Sequence, residues 1–166
     1  MGLDTVMNIN MPLKNTVEIE SHGDGILVDE IYLQALYFRK CFSLANKLGD
    51  YCIGIDNPNE TKGFDTDWNF DFEEEYLEGI EEILNDEIEN TLNGRDYDAI
   101  WEKGDYLNIL YRNLCSIKAL IAFKRGKISF KDIVVCSVED NNYIFNQIED
   151  SDIDKENIYC NFYNSY

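Results

Sequence analysis

Hydrophobic positions along this chain recur with two spacings, every second residue and every third or fourth, which are the signatures of half-buried strands and amphipathic helices. Val17-Glu18-Ile19-Glu20 alternates, Ser21-His22-Gly23-Asp24-Gly25 has turn chemistry, and Ile26-Leu27-Val28 resumes an apolar run. Together they predict a hairpin of two short strands. Residues 1–15 are mixed and follow neither spacing. Behind Asp29 as a cap, Ile31, Ala35, Phe38, Phe42, Ala45 and Leu48 recur at helical spacing up to Gly49, which predicts a helix over 29–48. Leu33, Leu36, Tyr37 and Leu44 widen its stripe, so this helix is expected at the centre of the core.

Tyr51 to Ile55 is a short apolar run that suggests a strand, followed by a polar loop over 56–63. From Phe64 to Phe72 the alternation is strict, with Phe64, Thr66, Trp68, Phe70 and Phe72 on one face and Asp65, Asp67, Asn69 and Asp71 on the other. A strand here would form a second hairpin with 51–55. At Glu73 the period changes: Tyr76, Leu77, Ile80, Ile83, Leu84, Ile88 and Leu92 predict a helix closed by Asn93-Gly94 and capped by Asp71 or a neighbour. Ile100, Trp101, Leu107, Leu110, Leu114, Ile117 and Ile121 predict another, with a break or new cap at Gly104-Asp105 and an end at Gly126. Ile133 to Val138 reads as a buried strand, Asn142 to Ile148 fits either element, Glu149 to Asp154 is an acidic loop, and Ile158 to Tyr163 alternates as a strand. The sum is a single α+β domain of about three amphipathic helices and short antiparallel strands, with a mainly α protein as the competing reading.

Composition changes this picture in one respect. The 166 residues carry 33 acids against 14 bases, a formal charge of −19. With 45% hydrophobic residues the chain still has the means to build a core, so the charge belongs to a folded surface rather than to disorder. Such a field repels nucleic acid and anionic membranes and attracts basic partners. No apolar run approaches about eighteen residues, and the N-terminus has neither a basic region nor an apolar core, so a cytoplasmic protein is expected. The cysteines at 41, 52, 115, 136 and 160 form no C-x-x-C pair and are expected as small buried apolar groups. His22, the single histidine, is expected exposed on its turn. There is no G-x-S-x-G, P-loop, G-x-G-x-x-G or H-E-x-x-H sequence, and neither enzymatic activity nor a cofactor is expected.

The charge is concentrated. Asp56 to Asp98 holds sixteen acids and two bases, Lys62 and Arg95. Asp67, Asn69, Asp71 and Glu78 fall at positions 1, 3, 5 and 12 of an EF-hand loop, but Phe72 stands where that loop needs glycine, so no metal is expected. A catalytic carboxylate pair needs two specific groups in a cleft, and a crowd of acids singles out none. Like charges at Glu74/Glu78, Glu78/Glu82 and Glu82/Asp86 each cost a helix about 0.2–0.5 kcal/mol. Gly79 costs about 1 kcal/mol against alanine, and no lysine or arginine lies on this helix to compensate. Alternate strand carboxylates repeat at about 6.7 Å, of the order of phosphate spacing. This points to a docking surface for a cationic protein, built from Asp65, Asp67, Asp71, Glu74, Glu75, Glu78, Glu81, Glu82 and Asp86, with Trp68 as an aromatic anchor; Tyr76 and Tyr97 are further aromatics at its edge. The six bases from Arg112 to Lys131 (Arg112, Lys118, Lys124, Arg125, Lys127, Lys131) are expected to face the protein's own acids.

A small acidic α+β domain with this Asp65 to Glu89 profile and no catalytic motif resembles the immunity proteins of contact-dependent growth inhibition and related polymorphic toxin systems. The resemblance implies a tight complex with a cognate toxin domain, often a nuclease. A phage-type nucleic-acid mimic that inhibits a host DNA- or RNA-binding defence protein is the alternative.

Overall fold

The computed structural model describes residues 3–55, 67–94, 100–133 and 146–165. Four antiparallel strands form one sheet in the order β2-β1-β4-β3. They are β1 (Asp4–Ser21), β2 (Asp24–Arg39), β3 (Asp67–Asp71) and β4 (Tyr159–Ser165). Helices α1 (Phe42–Gly54), α2 (Glu74–Leu92), α3 (Lys103–Lys124) and the single turn α4 (Phe130–Ile133) complete the α+β fold. The mainly α alternative is excluded by the sheet.

One sheet face and the helices share a core. Met7, Ile9, Leu33, Leu36, Phe38, Phe70, Cys160 and Phe162 meet Leu44 and Leu48 of α1, Leu77, Ile80 and Leu84 of α2, and Leu110 and Ile117 of α3. The residues between them on each strand project from the opposite face. Side chains substitute for missing strands at the edges. Asn113 of α3 accepts from the Tyr37 backbone N–H at 2.8 Å and donates to its carbonyl at 3.2 Å, and the Trp101 indole donates to the Arg39 carbonyl. Gln147 treats the Glu20 backbone in the same way. These contacts satisfy polar groups that an open edge would leave to another chain.

The predicted hairpin at 17–28 is present, and its turn is the two residues His22 and Gly23, with φ of 52° and 86°. Positive φ at both positions is the type I′ geometry that matches strand twist, and His22 is exposed there. The arms are far longer than expected, 18 and 16 residues. β1 reaches back through the unassigned N-terminal residues, and β2 runs through most of the stretch predicted as a central helix. The error has a physical cause. The β1–β2 register shifts at Met7/Asn8, where the partners step from Leu36 to Gln34 and leave Ala35 as an extra residue. The bulge changes the phase of the alternation, so that Ile31, Ala35 and Phe38 mimic helical spacing. The helix begins only at Phe42, after Lys40 turns the chain at a φ of 57° and donates its N–H to the Leu3 carbonyl.

Other expectations are corrected locally. Tyr51 to Gly54 is the last turn of α1 rather than a strand, since an apolar run this short fits either element. β3 therefore pairs with β4, not with 51–55. α2 has Glu73 at its N-cap, not Asp71, and no side chain bonds the cap. α3 starts at Lys103 with Gly104 inside its first turn, and Gly126 ends it at a φ of 73° as expected. Ile133 closes α4, while the rest of the strand expected over 133–138, most of the ambiguous segment 142–148, and Cys136 lie outside the described residues. The acidic stretch after Ile148 folds into two 3-10 turns, the first closed by a reciprocal capping box of Glu149 and Asp152. Cys41, Cys52 and Cys160 are buried as expected, and burial pushes the Cys160 thiol well up; Cys115 is exposed on α3.

Candidate partner-binding surface

Helix α2 carries most of the predicted surface. Glu74 and Glu75 in its first turn sit at the positive end of the helix dipole, and Leu77, Ile80, Leu84 and Ile88 bury one stripe. Gly79 has a packing reason: a Cβ there would overlap the ring of Tyr51, which lies across the helix. The Tyr51 hydroxyl donates toward the carbonyls of Glu75 and Tyr76, at 3.4 and 3.2 Å. Burial, followed by neighbouring negative groups, pushes its pKa up to about 12.

The absence of bases on α2 is made good from elsewhere in the fold. Arg125, just beyond α3, donates from Nε to Glu74 and from a terminal nitrogen to Glu78 Oε1 at 2.9 Å. Glu87 is not part of the solvent face at all. It is 2% exposed, with Oε2 bonded by Lys47 at 2.9 Å and Oε1 accepting from the buried Tyr106 hydroxyl at 2.8 Å. This triad ties α1, α2 and α3 together. The expectation of an uncompensated helix is therefore corrected for Glu74, Glu78 and Glu87. Among the described residues no cation pairs with Glu75, Glu82, Asp86 or Glu89, all exposed, or with the half-buried Glu81.

The basic segment divides. Arg125 meets α2, Lys131 pairs with Glu149 at 2.8 Å, and Lys124 lies 5.5 Å from the centre of the Phe72 ring. Arg112 and Lys118 project from α3, and with Lys127 they have no acidic partner among the described residues.

Strand β3 holds the alternation that the sequence predicts. Asp67, Asn69 and Asp71 are exposed, while Phe70 and Phe72 are buried. Trp68 shares the helix-facing side with Phe70, is half-buried, and its indole N–H is buried without a partner among the described residues. The predicted residues thus fall on two surfaces rather than one. Asp67 and Asp71 project from the open face of the sheet, and the α2 acids lie on the solvent side of a helix that packs on α3 and α1. Trp68 belongs to neither acidic face. Asp65 and Tyr97 lie outside the described residues, and Tyr76 stacks edge-on against Phe70 with ring centres 6.2 Å apart. An EF-hand does not form: 67–71 is a strand, Asp67 and Asn69 accept from the Asn161 amide, and Glu78 is taken by Arg125.

Sequence reasoning missed the open sheet face. Register aligns Tyr37, Val6 and Tyr163 in one row across it, Gln34, Asn8, Asn161 and Asn69 in a second, and Tyr32, Asn10, Tyr159 and Asp71 in a third. The signal was present in Asn8-Ile9-Asn10-Met11, where amides alternate with buried apolar groups. The two-residue period became legible only once the segment was known to be a strand.

Comparison with known proteins finds no matching family model, no similar curated protein and no similar solved structure. No helix among the described residues is long and apolar enough to cross a membrane.

Proposed function

We propose that this chain is an immunity-type inhibitor that binds and neutralises a cationic toxin domain in the cytoplasm, with a nuclease as the first candidate, and that it has no catalytic activity of its own. The observation that carries this reading is the set of acids left over on α2. After Arg125 and Lys47 are assigned, Glu75, Glu81, Glu82, Asp86 and Glu89 still carry no partner cation among the described residues. They spread along a helix of 19 residues, about 28 Å at 1.5 Å per residue, long enough to face a basic substrate groove. Opposite charges would steer the two proteins together at rates up to about 10⁸–10⁹ M⁻¹s⁻¹ at low salt.

The test is affinity capture from the source cells, run in parallel with wild-type bait and with Glu75→Lys/Glu82→Lys/Asp86→Lys/Glu89→Lys. The expected result is a basic protein held by wild type and lost by the variant, toxic when expressed alone and harmless when co-expressed with this chain. Equal capture by both baits, or a captured protein with no toxicity, overturns the proposal. A captured host protein that DNA or RNA displaces puts the nucleic-acid mimic in its place.

A further inference from the structure

On the open sheet face, one row of the register holds Tyr32 of β2, Asn10 of β1 and Tyr159 of β4. Asn10 is 5% exposed, yet its Oδ1 has no hydrogen-bond partner among the described residues. A buried acceptor left unpaired costs about 1–3 kcal/mol, so its retention points to a donor that arrives from outside. Glu30, two residues along β2, stands beside it. Its Oε2 accepts from the Tyr32 hydroxyl at 3.2 Å and its Oε1 from the Tyr159 hydroxyl at 3.5 Å, leaving lone pairs on both oxygens. No lysine or arginine pairs with Glu30 among the described residues; Arg39, on the same face, sits at the other end of the sheet against Asp4.

The dimensions suit a planar cation. Strands two apart in a sheet lie roughly 9–10 Å from each other, while a flat group sandwiched between two rings needs about 7–8 Å. We propose that Tyr32, Asn10, Tyr159 and Glu30 form a seat for one arginine side chain of a protein partner. The exposed Tyr32 ring swings outward to uncover Asn10 Oδ1, which is closed to solvent in this structure; the guanidinium then lies between the two phenol rings, donates to that oxygen and pairs with Glu30. A guanidinium fits where an ammonium does not, because its donors lie in one plane and its faces stack on aromatic rings. A protein is the occupant because the surroundings continue the same chemistry as an extended surface: Asp71 extends the row, and Tyr163, Asn161, Asn69 and Asp67 lie alongside. Tyrosine and asparagine of this kind give rigid contact area with adaptable hydrogen bonding. The seat is separate from the acidic face of α2 and does not depend on it.

The full-length chain, followed by amide NMR at low salt, is titrated with acetyl-Gly-Arg-Gly-amide, its lysine and citrulline counterparts, and free arginine. The arginine peptide is expected to give saturable shifts at the Asn10 side-chain amide and the Tyr32 and Tyr159 backbone. The other three probes are expected to bind at least about tenfold more weakly, since citrulline has no charge, lysine no plane, and free arginine a carboxylate that the face repels. Tyr32→Ala and Glu30→Gln, at a 59% exposed ring and a half-exposed carboxylate, should each weaken the peptide by about tenfold or more with the rest of the spectrum unchanged. Charge reversal on α2 should leave it unchanged, so loss of toxin capture and loss of this seat are separate results. Absence of saturation, equal response to lysine, or shifts confined to α2 overturns the seat; equal binding of free arginine overturns the protein partner.

Discussion

On α2, two glutamates share Arg125 and a third is sealed against Lys47 and Tyr106. On the open face of the sheet, among the described residues, Asp67 meets the Asn161 amide and Glu30 two tyrosine hydroxyls, with no cation at either. Along the sequence the helix is by far the denser in acids, but the fold spends part of that charge on its own cohesion. The sheet face has fewer carboxylates and surrounds them with groups suited to recognition. Charge density and available charge are different quantities, and the difference lies in which cations the tertiary structure delivers.

The comparison breaks first at Glu87. Lys47→Met should destabilise the protein by about 2–3 kcal/mol in denaturant unfolding, because it strands a buried carboxylate. Lys47→Met/Glu87→Met should recover most of that loss. A change within about 0.5 kcal/mol for the single variant would return Glu87 to the solvent face.

Gly79 gives the next largest effect, with a sign that decides between two explanations. An exposed helical glycine gains about 1 kcal/mol on replacement by alanine. Here Gly79→Ala should lose about 1–2 kcal/mol from overpacking against Tyr51 and should become stabilising in a Tyr51→Ala background. The same contact has an alkaline signature. The Tyr51 phenol ionises at about 12 in the fold against 10.0 unperturbed, so the unfolded chain releases its proton first. Its contribution is complete below pH 10.0 and is lost as the pH rises toward about 12. Tyr51→Phe should remove that limb from a stability–pH curve.

Smaller effects sharpen the contrast. Arg125→Ala leaves Glu74 and Glu78 unpaired on an exposed surface and should lower the melting temperature only slightly, while increasing the salt dependence of thermal stability. Asp67→Asn with Asp71→Asn should change stability by less than about 0.5 kcal/mol, because both groups are exposed. A larger loss would make the sheet-face acids structural.

Legibility followed the range of the interactions. α2, β3, β4 and the His22-Gly23 turn could be placed because each is marked by consecutive residues: an unbroken 3.6-residue period, a strict alternation, or a pair that accepts positive φ. β2 mimics a helix in sequence because one bulge residue, Ala35, shifts its period, and its identity depends on pairing with β1. The acids of the candidate surface were legible as a group. Their division into paired, buried and free was not, because Arg125 lies 51 residues from Glu74 and Lys47 lies 40 from Glu87.

The sequence alone determined that this is an acidic, core-forming chain whose negative charge is concentrated on a strand and the helix after it, and it left α+β and mainly α both open until the sheet decided between them. Tertiary structure decided that the strand's acids and the helix's acids lie on different surfaces, that glycine at 79 serves packing, and that Asn10, in register between two tyrosines, holds an acceptor unpaired among the described residues. Periodicity is a property of neighbouring residues, so the sequence carries it directly. Pairing across strands and helices joins groups as distant as Thr5 and Asn164, 159 positions apart, and only the folded chain brings them together.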